Sequence, residues 1–177
     1  DGVQFLYDKK QYEHEKYIAR KLVLLDKVCP AMETANIGSF IEKEERESGM
    51  HYASLQRQAL FDALENGVML LTGGPGTGKT TTINTIIEIF ESLKLSIALA
   101  APTGRAAKRM SQVTGLEAKT IHRLLCTHLN GSGEHMFSHN EENPLPADVV
   151  ILDEVSMIDI NLMAALKQEM FVRKLKE

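Results

Sequence analysis

The residues best suited to chemistry in this sequence form a glycine-rich stretch that ends in lysine and threonine. Residues 73–80 read Gly-Gly-Pro-Gly-Thr-Gly-Lys-Thr and satisfy the pattern Gly-x-x-x-x-Gly-Lys-Ser/Thr in full. Glycines let the backbone curl so that successive N–H groups face an anion, and the helix that follows adds its positive dipole end. The lysine brings a charge to the β- and γ-phosphates, and the last threonine offers a hydroxyl to Mg²⁺. The stretch therefore predicts a site for a nucleoside triphosphate with Mg²⁺.

A pair of carboxylates supplies the other groups that hydrolysis of a triphosphate needs. Asp153 and Glu154 directly follow the apolar run at 149–152. We expect Asp153 to hold Mg²⁺ opposite Thr80 and Glu154 to polarise the attacking water, with Lys79 as the third catalytic group. No Asn-Lys-x-Asp guanine-reading motif occurs, which favours ATP over GTP. The predicted nucleotide-binding residues of the loop are Gly74, Pro75, Gly76, Thr77, Gly78, Lys79, Thr80 and Thr81.

Helices and short apolar runs alternate around these residues. The predicted helices cover residues 55–65, 79–93 and 104–113, and the predicted strands cover 68–72, 96–100 and 149–152. We expect Thr103 to cap the third helix and Asp159 to cap a last helix from about Ile160. Strands that are apolar throughout indicate a parallel sheet covered on both faces. The order therefore predicts an α/β fold of the P-loop NTPase type, a parallel sheet with flanking helices.

The first 50 residues have a different character. Residues 12–28 show the periodicity of an amphipathic helix that Pro30 ends, and residues 31–50 are polar and acidic, typical of a helix or a linker. We predict a helical accessory region at 1–50 and an ATPase domain at 51–177.

Composition narrows the function classes. The net charge of −4 argues against a wholly basic nucleic-acid module, so any DNA contact must come from a local patch. Such a patch is predicted in the segment from Thr103 to Arg123, which contains five basic residues and one acidic residue. No apolar run reaches the length of a bilayer span, which predicts no membrane partner. Two cysteines are typical of a reduced, cytoplasmic protein.

Four further segments, in order, resemble the RecD/TraA branch of superfamily 1 DNA helicases. Residues 72–82 resemble motif I of that superfamily, and residues 100–107 (Ala-Ala-Pro-Thr-Gly-Arg-Ala-Ala) look like motif Ia in the form this branch carries. Residues 120–125 (Thr-Ile-His-Arg-Leu-Leu) and 143–159 are similar to later segments of the branch. Gln56 occupies the position of the family's Q motif, which reads adenine. The resemblance is dense over about residues 51–163, and weaker over the helix before it.

The resemblance implies a 5′-to-3′ DNA helicase that couples ATP hydrolysis to translocation on single-stranded DNA. It implies a RecA-like motor domain, with ATP and Mg²⁺ as cofactors and recombination or repair proteins as partners. The residues it places on single-stranded DNA are Pro102, Thr103, Gly104, Arg105, His122 and Arg123.

The sequence also departs from the family. Members continue into a strand that ends in Gly-Asp, between the phosphate-loop strand and the Asp153 strand, and into a second motor domain with an arginine finger. Neither appears here, so we expect an incomplete, partial RecA-like domain and a fragment that binds nucleotide without unwinding DNA.

Two other functions and one question about a segment stay open. One alternative function is a nucleotide-regulated binding module that lacks turnover. Another is a small-molecule kinase, which shares the phosphate loop but leaves residues 102–107 and 120–125 unexplained. The question concerns residues 126–143, which we expect to be a mobile insertion; Cys126, His128, His135 and His139 lie there but fit no common zinc spacing.

Overall fold

The computed structural model describes residue 6 and residues 8–32, 36–129, 135–139 and 143–166. The α-helices are α1 (Lys9–Val28), α2 (Ile37–Ser48), α3 (Ser54–Glu65), α4 (Lys79–Ser92), α5 (Gly104–Thr114) and α6 (Ile121–Leu124). The strands are β1 (Ile97–Ala101), β2 (Ala118–Thr120), β3 (Thr127–Leu129), β4 (His135–Phe137) and β5 (Val149–Leu152). Residues 160–166 are helical as well. None of the helices within these ranges is long and apolar enough to span a bilayer.

The main sheet is parallel, as predicted, with strand order β2-β1-β5. Ala101 lies opposite Thr120 of β2, and Ala100 lies opposite Leu152 of β5. The carboxyl ends of the three strands therefore meet at one edge of the sheet. Ligands bind at this edge in open α/β sheets, because the loops that follow the strands converge there.

The strand predicted at residues 68–72 is not formed, because this segment takes part in no ladder of the described residues. A strand needs a hydrogen-bonded neighbour, and the edge of β5 opposite β1 pairs with no described strand. Met69 nevertheless packs against the same core cluster as Val149 of β5. The prediction of a buried strand was therefore wrong, because the segment pairs with no described strand and Leu70 is 76% exposed.

Two parts of the chain contain strands that were not predicted. β2 was not predicted, and it pairs with β1 through its whole length. Residues 126–143, expected to be a mobile insertion, contain the antiparallel pair β3 and β4, in which His128 lies opposite Met136. Residues 130–134 and 140–142 of that segment lie outside the described residues, and its mobility stays a prediction.

The predicted caps are confirmed. The Thr103 hydroxyl accepts a hydrogen bond from Ala106 N at 3.2 Å at the start of α5. Asp159 Oδ1 accepts hydrogen bonds from Asn161 N at 2.9 Å and Leu162 N at 3.0 Å, where the last helix begins. Each cap satisfies N–H groups that have no partner within the helix.

The accessory region contributes to the core of the ATPase region. Ile41 of α2, Leu60 of α3 and Ile89 of α4 are almost fully buried in one cluster. Each buried side chain of this size contributes about 1.5–3 kcal/mol relative to an exposed one. The helix α2 therefore shares one core cluster with the helix that follows the phosphate loop. A domain boundary near residue 50 stays a prediction.

Candidate nucleotide and nucleic-acid site

The phosphate loop has the backbone that anion binding needs. Gly76 and Gly78 adopt left-handed conformations, with φ of +73° and +79°, which side chains other than glycine disfavour. A Cβ at Gly76 would meet nothing within 4 Å, so the loop backbone there faces open space. The loop then enters α4 at Lys79, whose helix N-terminus adds positive potential. The fit to a bound triphosphate is good on these grounds.

Lys79 turns back over the loop. Its ammonium donates hydrogen bonds to the carbonyl oxygens of Gly73 at 2.5 Å and Gly74 at 2.6 Å. Thr77 Oγ1 donates to the same Gly74 carbonyl at 2.9 Å. The lysine is therefore already placed over the cradle, where phosphate oxygens can replace these carbonyls as its acceptors.

Gln56 reaches the phosphate loop, although it lies 22 residues before Gly78 in the chain. Its Nε2 is 3.5 Å from the Gly78 carbonyl, and its Oε1 accepts a hydrogen bond from Ala53 N at 2.9 Å. A Cβ on Gly78 would lie only 2.2 Å from Gln56 Nε2. Glycine at 78 thus serves both the left-handed turn and the close approach of this side chain.

Asp153 and Glu154 emerge from the carboxyl end of β5. Asp153 N donates to the carbonyl of Ala100 in β1 at 3.0 Å, which continues the ladder one residue past the strand. Asp153 Oδ1 in turn accepts from Glu154 N at 2.9 Å. Glu154 has φ 51° and ψ 42°, a left-handed conformation that costs a non-glycine residue about 1–2 kcal/mol. The carboxylate of Asp153 and the hydroxyl of Thr80 are the hard oxygen ligands that Mg²⁺ prefers.

The predicted DNA-contacting residues follow β1 and β2, whose ends lie side by side. Pro102, Thr103, Gly104 and Arg105 come directly after β1, and His122 and Arg123 lie in α6, the helix that follows β2.

A groove of about 480 Å³ lies between α5, β2 and α6. Its lining comprises Gly104, Ala107, Lys108, Glu117, Ala118, Lys119, Thr120 and Arg123. It brings Gly104 and Arg123 together among the predicted residues, whereas the other four are not part of the lining. It also includes Lys108 and Lys119, which the sequence shows only as members of a basic segment.

The groove is positively charged overall. Three cations line it against one carboxylate, that of Glu117, whose Oε2 is 3.8 Å from Lys119 Nζ. Thr120 caps α6 by accepting a hydrogen bond from Arg123 N at 3.3 Å, which fixes the start of that helix. Such a groove can bind a phosphate group of a nucleic-acid backbone.

Comparison with known proteins identifies the family of the chain. Residues 56–176 match the family described as AAA domain. The chain is 40% identical over 153 residues to the ATP-dependent RecD2 DNA helicase of Deinococcus radiodurans, a match that covers 86% of this chain and 20% of that protein. It is 36% identical over 176 residues to the RecBCD enzyme subunit RecD of Mycolicibacterium smegmatis, covering 85% of this chain and 31% of that protein. For the RecD subunit of Haemophilus influenzae the identity is 34% over 151 residues, with 72% and 22% covered.

The chain therefore spans between a fifth and a third of the length of these relatives. Its phosphate loop, parallel sheet and family match agree with one another. The chain belongs to the AAA domain family of P-loop proteins, and over most of its length it is similar to RecD helicases.

Proposed function

We propose that this chain is the ATP-binding motor segment of a 5′-to-3′ DNA helicase that couples ATP hydrolysis to movement along single-stranded DNA. The observation that carries the proposal is the position of Lys79, whose ammonium lies over the carbonyls of the glycine loop at the start of α4. For the 177-residue chain itself we propose nucleotide and DNA binding without unwinding. Recombination or repair proteins are the proposed partners, and the cytoplasm is the proposed location.

The loop residues divide the work on the triphosphate. Lys79 exchanges its two carbonyl acceptors for β- and γ-phosphate oxygens, while the backbone N–H groups of Gly74 and of residues 76–81 surround the phosphates. Thr80 and Asp153 would hold Mg²⁺, and Glu154 would orient and polarise the attacking water. The chemistry that Mg²⁺ supplies when bound is neutralisation of the charge that develops on the phosphates.

Gln56 is the proposed reader of the base. Its Oε1 accepts one hydrogen bond, from Ala53 N, and a carbonyl oxygen has a second lone pair. Its amide nitrogen carries two N–H groups, of which the long contact to Gly78 uses one at most. A carboxamide pairs in two places with the N6 amino group and N7 of adenine. Guanine presents two acceptors at this edge, so the same side chain favours ATP over GTP.

The basic groove is the proposed contact with DNA. Lys108, Lys119 and Arg123 would neutralise backbone phosphates, and Gly104 at the start of α5 would offer an N–H group. A small-molecule kinase would share the phosphate loop but has no use for this groove. The groove therefore favours the helicase over the kinase.

A titration with a fluorescent ATP analogue and Mg²⁺ tests the nucleotide site. We expect saturable binding to the unchanged chain and to Lys10→Ala, which removes an exposed lysine of α1, and its loss in Lys79→Ala. Binding that survives Lys79→Ala unchanged would contradict the proposal.

A titration with labelled single-stranded DNA at two salt concentrations tests the groove. Each phosphate contact adds roughly 0.7 to the slope of log affinity against log salt for single strands. We expect Lys119→Ala and Arg123→Ala to weaken binding and lower that slope, and the control Lys27→Ala, on α1, to change neither. Equal slopes in all variants would remove the groove from the DNA-binding surface.

A further inference from the structure

Glu45, on the accessory helix α2, is only 8% exposed, and it is the one buried carboxylate among the residues that the structure describes. Its two oxygens have different partners at the start of α3. Oε1 accepts a hydrogen bond from Tyr52 N at 2.8 Å, and Oε2 accepts one from the Arg57 guanidinium at 2.5 Å. His51 Nδ1 lies 3.8 Å from Oε2. One carboxylate therefore binds the residues on both sides of the helix start.

Gln56 lies between these two attachment points. Its neighbour Arg57 is bound by Glu45, and its own Oε1 is bound to Ala53 N in the turn that Tyr52 enters. The side chain then extends to the Gly78 carbonyl of the phosphate loop. The position of Gln56 at the loop thus depends on the backbone that Glu45 fixes.

The same turn is bound to the helix that follows the phosphate loop. The hydroxyls of Tyr52 and Thr85 are 2.7 Å apart, and Thr85 Oγ1 is 3.1 Å from the carbonyl of Thr81. A hydroxyl carries one proton, so if Thr85 donates to Thr81, Tyr52 must donate to Thr85. Hydrogen bonds therefore connect α2, the start of α3 and the first turns of α4.

We propose that Glu45 is a positioning residue for recognition of the nucleotide base, because it orients the start of α3 that carries Gln56 against the phosphate loop. The inference rests on the proposed function, in which Gln56 reads adenine. It predicts that a residue of the accessory region controls discrimination between ATP and GTP while leaving the phosphate contacts intact. The nucleotide site then includes α2, which the phosphate-loop motif does not reveal.

The test uses Glu45→Gln in the full chain. The amide oxygen still accepts from Tyr52 N, but its NH₂ group faces the Arg57 guanidinium, donor against donor. Glu47→Gln is the matched control, because it removes the same charge from the same helix at an exposed position. Arg57→Met removes the cation that binds Glu45, at a side chain more exposed than that of Glu45. Arg57→Lys keeps a cation at that position.

Three affinities are measured for each variant: ATP, GTP and inorganic tripolyphosphate as a competitor that reports the phosphate loop alone. We expect Glu45→Gln and Arg57→Met to lower the ATP-to-GTP affinity ratio about five- to tenfold, the effect of losing about 1 kcal/mol at the base. Tripolyphosphate affinity should stay unchanged, and Arg57→Lys should restore part of the ratio. Glu47→Gln should match the unchanged chain.

The outcomes separate the two proposals. A lowered ratio in Gln56→Ala together with an unchanged ratio in both Glu45→Gln and Arg57→Met overturns the positioning role alone. Equal losses of ATP, GTP and tripolyphosphate binding in those variants also overturn it, because they indicate a general structural effect. An unchanged ratio in Gln56→Ala overturns the adenine-reading role, and with it the inference.

Discussion

Ser96 and Asp148 bind each other reciprocally at the entrance of the central strand pair. Asp148 Oδ2 accepts hydrogen bonds from Ser96 N at 2.8 Å and from Ser96 Oγ at 2.5 Å, and Asp148 N lies 3.0 Å from Ser96 Oγ. The next residues, Ile97 and Val149, are opposite each other in the parallel ladder of β1 and β5. The pair therefore fixes the register that places Asp153 beside the end of β1.

Removal of the hydrogen bonds between Ser96 and Asp148, here called the Ser96–Asp148 clamp, should destabilise the fold. We expect Asp148→Ala to lower the free energy of unfolding by about 0.5–1.5 kcal/mol, because it replaces these hydrogen bonds by hydrogen bonds to water at an exposed position. Asp148→Asn keeps one acceptor oxygen and should lose less. Urea denaturation followed by circular dichroism measures both, and equal midpoints for Asp148→Ala and the unchanged chain would show that the clamp contributes nothing.

Gly67 is required by the close approach of α1 to the segment before the phosphate loop. A Cβ there would lie 2.4 Å from Cys29 Cβ and 2.5 Å from the Leu25 carbonyl, so backbone must move to admit it. We expect Gly67→Ala to cost about 1–3 kcal/mol through overpacking. It should also weaken the hydrogen bond from Val68 N to Asp26 Oδ1, which is 3.1 Å long.

Gly38→Ala is the matched control for that substitution. Gly38 lies within α2, and a Cβ there meets nothing within 4 Å. Alanine should therefore stabilise the helix by about 0.5–1 kcal/mol. Thermal unfolding of both variants measures the contrast, and a shift in the same direction for the two would contradict the steric account of Gly67.

The sequence was informative where local chemistry decides the structure. The phosphate loop fixes the start of α4 at Lys79, and the hydroxyl and carboxylate of Thr103 and Asp159 fix two further helix starts. The apolar run before Asp153 has the same bounds as β5, because the strands of a parallel sheet read as continuous apolar residues. Each of these signals lies within a few residues of the element it specifies.

Elements that depend on distant partners could not be predicted in this way. β2 is only three residues long and includes Lys119, so it has no apolar run, and only its neighbour β1 makes it a strand. Residues 68–72 have the apolar run but no paired neighbour in the part of the chain that the structure describes. The contact of Gln56 with Gly78 and the burial of Glu45 likewise arise from packing between helices far apart in the chain. Lys108 appeared in the sequence as a charge, and only the groove gives it a location.

Glu154 has a left-handed backbone conformation and a proposed role in hydrolysis, so a residue that suits the backbone better should raise the stability of the fold. We expect Glu154→Gly to stabilise the fold by up to about 1 kcal/mol, because glycine adopts the left-handed conformation without strain. Lys94→Gly, at another left-handed position with φ 60°, is the control for the conformational effect alone. Glu154→Gln keeps the strain and should leave the melting temperature unchanged. A melting temperature that falls in Glu154→Gly but rises in Lys94→Gly would show that the carboxylate itself stabilises the loop.

The stability that Glu45 contributes should depend on pH. Its hydrogen bond from Tyr52 N and the nearby Arg57 guanidinium hold the pKa of the Glu45 carboxyl below its ordinary value of 4.5, against the opposing effect of burial. A carboxyl whose pKa is lowered by folding stabilises the folded state fully above its unfolded pKa, and this stabilisation is lost as the pH falls through the folded pKa. The difference in melting temperature between the unchanged chain and Glu45→Gln should therefore be largest near neutral pH and shrink below about pH 4.5.

The charged and titratable groups that face Glu45 are Arg57 and His51, and they must be separated from it in this measurement. The imidazole of His51 lies 3.8 Å from Glu45 Oε2. The same melting curves in a His51→Gln background remove the contribution of this neighbouring group. If the difference between the unchanged chain and Glu45→Gln stays constant from neutral pH to about pH 3, the carboxylate of Glu45 contributes through its shape and not through its charge.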